Sequence, residues 1–436
     1  MARRLGLALG LSLGLAAATH AAETATAPPP VERLIEQLGS RDFKTREGAG
    51  KALALRGEEA LPALRKAMPH PDPEVRQRLS QLIADTERSL LLAPKRVTLK
   101  LNQTPVREAL AELARQSGYR IDLQGGPRNQ LVTLQLENVS FWEAFDKLCA
   151  QAGLVLQQHY DLAHGGLMVY AQDAIVPFID YRGPFRLSAN SFHYNKSLAF
   201  ATLPRNQFPG GQRSEQLTFM FSVVAEPKLP LLGLGQPRLT AALDDQDNSL
   251  MPAPQARVFE SQYGGYAGYR SIILQSQVQL AGHGGAARSV KLLRGSLPVT
   301  LLAEQKPEIV VTDVLKVKNQ KFEGKEVTLE IEAVREGPGK TYQVALTARR
   351  NGKDNQNDYT WTNSLHQRVE LVDAKGNKFP SHGFNWNNGT PTSVQGTFMF
   401  GDAGGGPAGK PAKLTYYGWV TLQHQVEFEF HDLPLP

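Results

Sequence analysis

Apolar residues change their spacing twice along the chain, and the changes divide it into three kinds of sequence. Between Val31 and Arg88 they recur at helical intervals, as in Val31, Leu34, Ile35 and Leu38 and again in Leu79, Leu82 and Ile83. Gly39-Ser40 and Gly57 stop helices, Pro62 suits a first turn, and Pro69 to Pro73 opens a last helix, so four short helices are expected. From Val97 each period-two run is followed by a helical face. Val106, Leu110, Leu113 and Ala114 form the first face, and Phe141, Phe145, Leu148 and Cys149 the second. From Phe178 onward helical spacing is absent, and alternating strands are punctuated by Gly, Pro and Asn.

Each region repeats itself. In the helical stretch Asp42-x3-Arg46 returns 30 residues later as Asp72-x3-Arg76. With Asp72-Pro73-Glu74-Val75-Arg76, this stretch resembles HEAT-type repeats, in which each helix pair buries its apolar face on the next. The resemblance implies either a packing cap or a protein-docking surface.

In the mixed stretch, residues 97–123 and 132–158 match at an offset of 35. Val97-Thr98-Leu99-x-Leu101 pairs with Val132-Thr133-Leu134-x-Leu136, Gln116 with Gln151, and Gly118 with Gly153. Each copy reads β-α-β, which predicts a small α+β layer. Residues 97–119, closed by the strand Gly166-Leu167-Met168-Val169-Tyr170, resemble the short N-terminal domain shared by secretins and TonB-dependent receptors. That likeness covers about 75 residues and implies a periplasmic, non-catalytic module that touches other proteins through an edge strand or a helix face.

The β half is expected to hold strands at 217–224, 239–243, 272–280 and 289–293, then at 310–317, 327–334, 342–349, 368–372, 394–400, 414–422 and 426–431. Leu243-Asp244-Asp245-Gln246-Asp247-Asn248 parallels Val372-Asp373-Ala374-Lys375-Gly376-Asn377, and Gly295 parallels Gly418, so the two sets are read as related. The fold class expected is multidomain: an all-α helical repeat, a small α+β unit of repeated β-α-β, then two tandem immunoglobulin-like β-sandwiches. The boundaries expected are a signal peptide at 1–22, a flexible leader at 23–30, helices at 31–94, the α+β module at 95–175, and sandwiches at 176–304 and 305–436. In domain order the whole is similar to exported proteins of the Planctomycetes.

The signal peptide rests on the basic start Arg3-Arg4, the 14-residue apolar stretch Leu5 to Ala18 and the small residues Ala21-Ala22. An apolar stretch of that length falls short of the ~20 residues that span a bilayer. A periplasmic or extracellular location follows, with no membrane span in the mature chain. The formal charge of +6 loses two units with Arg3 and Arg4, and what remains is dispersed, which argues against nucleic acid. Cys149 is the only cysteine, so no intramolecular disulfide can form, and it reads as a core residue.

Candidate chemistry is sparse. Gly337-Pro338-Gly339-Lys340-Thr341 lacks the first glycine of a phosphate loop and lies between strands, so a hairpin turn is expected. Asp244, Asp245 and Asp247 read as an Asx-rich turn rather than a calcium loop. His159, Asp161 and His164 make at most a weak metal set. No catalytic, cofactor or metal residue is assigned, and the chain is read as a non-enzymatic envelope protein acting as a protein-interaction scaffold or adaptor. The alternative is a glycan or peptidoglycan binder, with Trp361 and Trp386 stacking on sugar faces and Asn385 and Asn387 bonding hydroxyls. Trp142 and Trp419 lie in periodic runs and are expected in the core.

Overall fold

A computed structural model describes residues 29–125, 130–157, 166–172, 174–199, 212–252, 270–282, 287–352, 360–401 and 409–436. The chain divides into two compact units after Leu90.

The first unit holds α1 (Val31–Gln37), α2 (Phe43–Arg56), a 3-10 turn, α3 (Leu61–Ala67) and α4 (Pro73–Leu92), whose last two residues lie beyond the division. Leu34, Leu38, Leu53, Leu64, Val75 and Leu79 form its core. The repeated Asp and Arg recur as a helix start. Asp42 caps α2 by accepting from the Thr45 amide at 2.9 Å, while the Arg46 guanidinium reaches back to the Ser40 carbonyl at 2.8 Å. Asp72 accepts from the Glu74 amide at 2.8 Å and Arg76 reaches the His70 carbonyl at 2.6 Å.

The all-α repeat is therefore corrected. Among the described residues 53% lie in strands and 26% in helices, and no all-α helical repeat region is present. What repeats is a local capping motif, on helices of 14 and 20 residues.

In the second unit the 35-residue repeat runs through β1 (Arg96–Pro105), α5 (Val106–Ser117) and β2 (Arg120–Gln124), then β3 (Leu131–Ser140), α6 (Phe141–Ala152) and β4 (Leu154–Leu156); β5 (Gly166–Ala171) follows. Two small sheets result, β1 with β3 antiparallel, and β2-β5-β4. The matched residues do matched work. Gly118 and Gly153 end their helices in the left-handed conformation, with φ of 75° and 57°. The Gln116 carboxamide bonds both the amide and the carbonyl of Thr98, at 2.8 and 2.7 Å, and the Gln151 carboxamide donates to the Thr133 carbonyl at 2.8 Å. A helix-borne amide thus blunts the open edge of each strand.

The rest of the second unit is β. A first set comprises β6 (Ile179–Arg182), β7 (Phe185–Ala199), β8 (Gln212–Ala225), β9 (Leu231–Leu234), β10 (Arg238–Asp244), β11 (Ile273–Leu280) and β12 (Ser289–Thr312). A second comprises β13 (Lys318–Glu323), β14 (Val327–Glu336), β15 (Tyr342–Arg350), α7 (Thr360–Arg368), β16 (Val369–Asp373), β17 (Lys378–Phe379), β18 (Ser381–Gly389), β19 (Ser393–Phe400) and β20 (Pro411–Pro434). The sheet β11-β8-β7-β6 has the same order as β19-β15-β14-β13, to which β18 adds an outer strand. Both repeats share one sheet, β10-β12-β20-β16-β17, with β9 also on β12.

The shared sheet overturns the tandem sandwiches. β12 and β20 are 24 residues each and pair antiparallel from Ser289↔Pro434 to Thr312↔Lys413. The N-terminal stretch of β12 to Leu301 gives Leu297, Val299 and Leu301 to the first core, and its C-terminal end gives Ile309 and Val311 to the other. β20 does the reverse: Leu414 and Tyr416 fill the second core, and Val426, Phe428 and Phe430 the first. Each repeat is completed by a strand that begins in the other, and Glu304 and Gln305, where a division was expected, lie mid-strand.

Nor is the connectivity immunoglobulin-like. β6, β7 and β8 form a meander within one sheet, whereas strands B and C of the immunoglobulin arrangement lie in different sheets. Apolar period alone cannot reveal this, because the inward positions of β20 stay even-numbered from Leu414 to Phe430 whichever core they enter.

The Asx turns recur faithfully. Asp244 accepts from the Gln246 and Asn248 amides at 2.9 and 2.8 Å, and Asp373 from the Lys375 and Asn377 amides, both at 2.8 Å. Gly295 lies beneath Phe428: an added Cβ would stand 2.6 Å from both the ring and the Arg238 carbonyl. Gly295→Ala is expected to cost about 1–3 kcal/mol by overpacking, measurable as a fall in the urea midpoint at constant m-value.

Candidate binding face and the joint behind it

Two features of the second unit go beyond packing: a set of buried polar latches and an open sheet face. The latches join the α+β module to the first β repeat. Glu226, fully buried at the end of β8, accepts from the Tyr119 hydroxyl at 2.7 Å and from the Lys95 amide at 3.0 Å, and the Lys228 ammonium lies 3.8 Å away. Lys228 also donates to the Ala93 carbonyl. Burial pushes the Glu226 carboxyl above the ordinary carboxylate range, against the pull of Tyr119 and Lys228.

The second latch is Arg186, which donates from Nε to Asp146 Oδ2 at 2.7 Å. The Tyr181 hydroxyl donates to the same oxygen at 2.8 Å. The Trp142 indole N–H meets the Pro184 carbonyl at 3.1 Å. Around these bonds Trp142, Phe145 and Cys149 share one core with Val224 and Ile273 of the β repeat. Burial raises the Cys149 thiol, so it behaves as a core residue.

The latch residues carried no sequence signal beyond isolated charges beside apolar runs. Glu226 in Ala225-Glu226-Pro227-Lys228 is such a charge, and only the packed module shows what it meets.

The residues that carry the module in the first repeat form one cross-strand row, Arg186, Val224 and Ile273. The corresponding row of the second repeat, by strand and register, is Thr328, Arg349 and Ser393. The row beside it is Glu330, Thr347, Gln395 and Asn388, and these four with Arg349 and Ser393 line a groove of about 360 Å³ on the face turned away from the core. Glu332 Oε1 accepts from Gln395 Nε2 at 2.9 Å and from the Thr347 hydroxyl at 3.4 Å, which fixes the floor of the groove.

The expected glycan residues do not come together. Trp361 is 5% exposed, packed in the second core on α7, with its indole N–H on the Tyr416 hydroxyl at 2.9 Å. A helix over 360–368 was not foreseen, and it turns this ring inward. Trp386 is 45% exposed, but it pairs with Gly396, on the core side of β18, and packs edge-on to Phe384 at 5.2 Å. A register shift between Trp386 and Asn388 leaves Asn387 as the extra residue, and so Asn385, opposite Thr397, and Asn388, opposite Gln395, share the outward face. Ring and amides thus lie on opposite sides of one strand.

Trp142 is buried as expected; Trp419 is half-buried, with the Arg368 guanidinium stacked 4.0 Å above its ring. Pro338–Lys340 form a 3-10 turn between β14 and β15, closed by the Gly337 amide donating to the Thr341 carbonyl. His159, Asp161 and His164 lie outside the described residues. Among the described residues no group of three or more His, Cys, Asp or Glu is placed to hold a metal, and no helix is long and apolar enough to cross a membrane. Comparison of the chain with family models, with curated proteins and with solved structures gave no match.

Proposed function

We propose that the chain is an exported, non-enzymatic envelope protein that acts as a protein-interaction scaffold, presenting its α+β module on a braced β body. The observation that carries this reading is the joint. A module held by a part-buried ion pair, a fully buried carboxylate and a shared apolar core is fixed in orientation, as a presenting element needs to be. The sequence likeness of residues 97–170 to the secretin and TonB-receptor short domain supports protein contact as its work. Because Gln116 and Gln151 occupy part of both strand edges, the exposed side of α5 is the contact surface this reading favours.

Proximity labelling in the native envelope, with the labelling enzyme fused after Pro436, tests it. A defined set of labelled proteins is expected, and it should be lost with Arg107→Glu combined with Ala111→Arg, two exposed positions one turn apart on α5. Labelling that is diffuse, or unchanged by the double variant, would contradict the scaffold reading.

A further inference from the structure

We propose that the outward groove of the second β repeat binds a glycan built of N-acetylated amino sugars. The reading is independent of the scaffold proposal.

Internal symmetry supports this assignment. The two repeats share strand order and register, and in the first repeat this region of the sheet is a docking surface that carries the α+β module through Arg186, Val224 and Ile273. The second repeat keeps the surface and changes its chemistry. Where the first presents apolar Val224 and Ile273, the second presents Arg349 and Ser393.

The second repeat also widens the surface. Among the described residues β18 has no counterpart in the first repeat, and it extends this face with Asn385 and Asn388. The bulge at Asn387 is what turns Asn388 outward beside Gln395.

The groove offers side-chain amides and hydroxyls in cross-strand rows, at the strand spacing of about 4.8 Å, which is close to the length of one pyranose unit. Carboxamides bond acetamido groups and hydroxyls with both a donor and an acceptor, and Arg349 suits a carboxylate carried by the polymer. A solvated face would leave these side chains free, whereas here Glu332 holds both Gln395 and Thr347, so less side-chain entropy is lost on binding.

The test uses the full chain without its first 22 residues. Retention on insoluble peptidoglycan in high salt is measured beside a calorimetric titration with a soluble tetramer of N-acetylglucosamine. Binding to both probes is expected, with about three- to tenfold weakening for Asn388→Ala and for Gln395→Ala, and no change for Trp386→Ala. Thermal midpoints of the variants identify any loss due to unfolding, and Gln395→Met, which keeps the length of the side chain and removes the amide without adding a charge beside Glu332, serves if Gln395→Ala fails to fold. Absence of binding to both probes would overturn the proposal. So would binding untouched by the groove variants, or binding lost only with Trp386→Ala, which would put the ligand on the opposite side of β18.

Discussion

Phe428→Ala is expected to lower the unfolding free energy by about 3–5 kcal/mol and to pull down the stability of both β repeats, although the ring lies in only one of them. Phe428 is fully buried in the first core, 5.1 Å from the Phe221 ring and over Gly295. Alanine leaves a cavity that neighbouring strands cannot close, because β12 and β20 are pinned to each other on either side of it. The damage reaches the second repeat through the same strand, whose first half supplies Leu414 and Tyr416 there. Denaturant unfolding followed by tryptophan fluorescence, whose four rings all lie in the second unit, should give a lower midpoint and a single transition for that unit.

The second large effect is expected at the joint. Asp146→Ala leaves Arg186, whose side chain is 8% exposed, as an uncompensated charge and removes the acceptor of the Tyr181 hydroxyl. The expected cost is about 3–5 kcal/mol. Replacing both Asp146 and Arg186 with apolar residues should cost less than replacing Asp146 alone, and a double-mutant cycle measures the difference.

The pH dependence of the joint has the opposite sign to that of the surface pairs. Glu226 has a carboxyl raised in the folded chain, so its contribution is fully present below the ordinary carboxylate range and is lost as pH rises through the raised value. Glu112 and Glu429 are held at about 2 by hydrogen bonds from Arg115 and Arg294, so theirs is present above the ordinary range and is lost as pH falls toward 2. Glu226→Gln should therefore remove only the component that declines with rising pH, leaving the acid limb intact. A stability profile across mildly acidic pH checks this.

How far the sequence could be read follows from the range of the interactions. The helix starts at Asp42 and Asp72, the paired Asx turns and the 35-residue β-α-β repeat depend on residues a few positions apart, and their periods and caps are visible in order along the chain. The relation between the two β halves was likewise visible in Asp244 and Asp373. Their interlocking was not, since nothing local marks whether β12 ends at Leu293 or continues to Thr312, and an apolar alternation looks the same in either core. α7 was missed because Trp361 and Leu365 show the inward face of a helix only when packed. The exposed face came out differently for a related reason: one extra residue at Asn387 reverses which side of the strand its neighbours occupy, and sequence alternation across Phe384 to Asn388 does not show where that residue falls.

The exchange of β12 and β20 makes the two β repeats one folding unit. The four tryptophans allow a direct measurement by ¹⁹F NMR of the chain carrying 5-fluorotryptophan, since Trp142 reports on the joint with the first repeat and Trp361 on the core of the second. The native Trp142 and Trp361 signals are predicted to disappear at one urea concentration in the natural chain and at one lower concentration in Phe428→Ala. A Trp361 signal that keeps its natural midpoint while that of Trp142 falls would show two independent sandwiches and contradict the account.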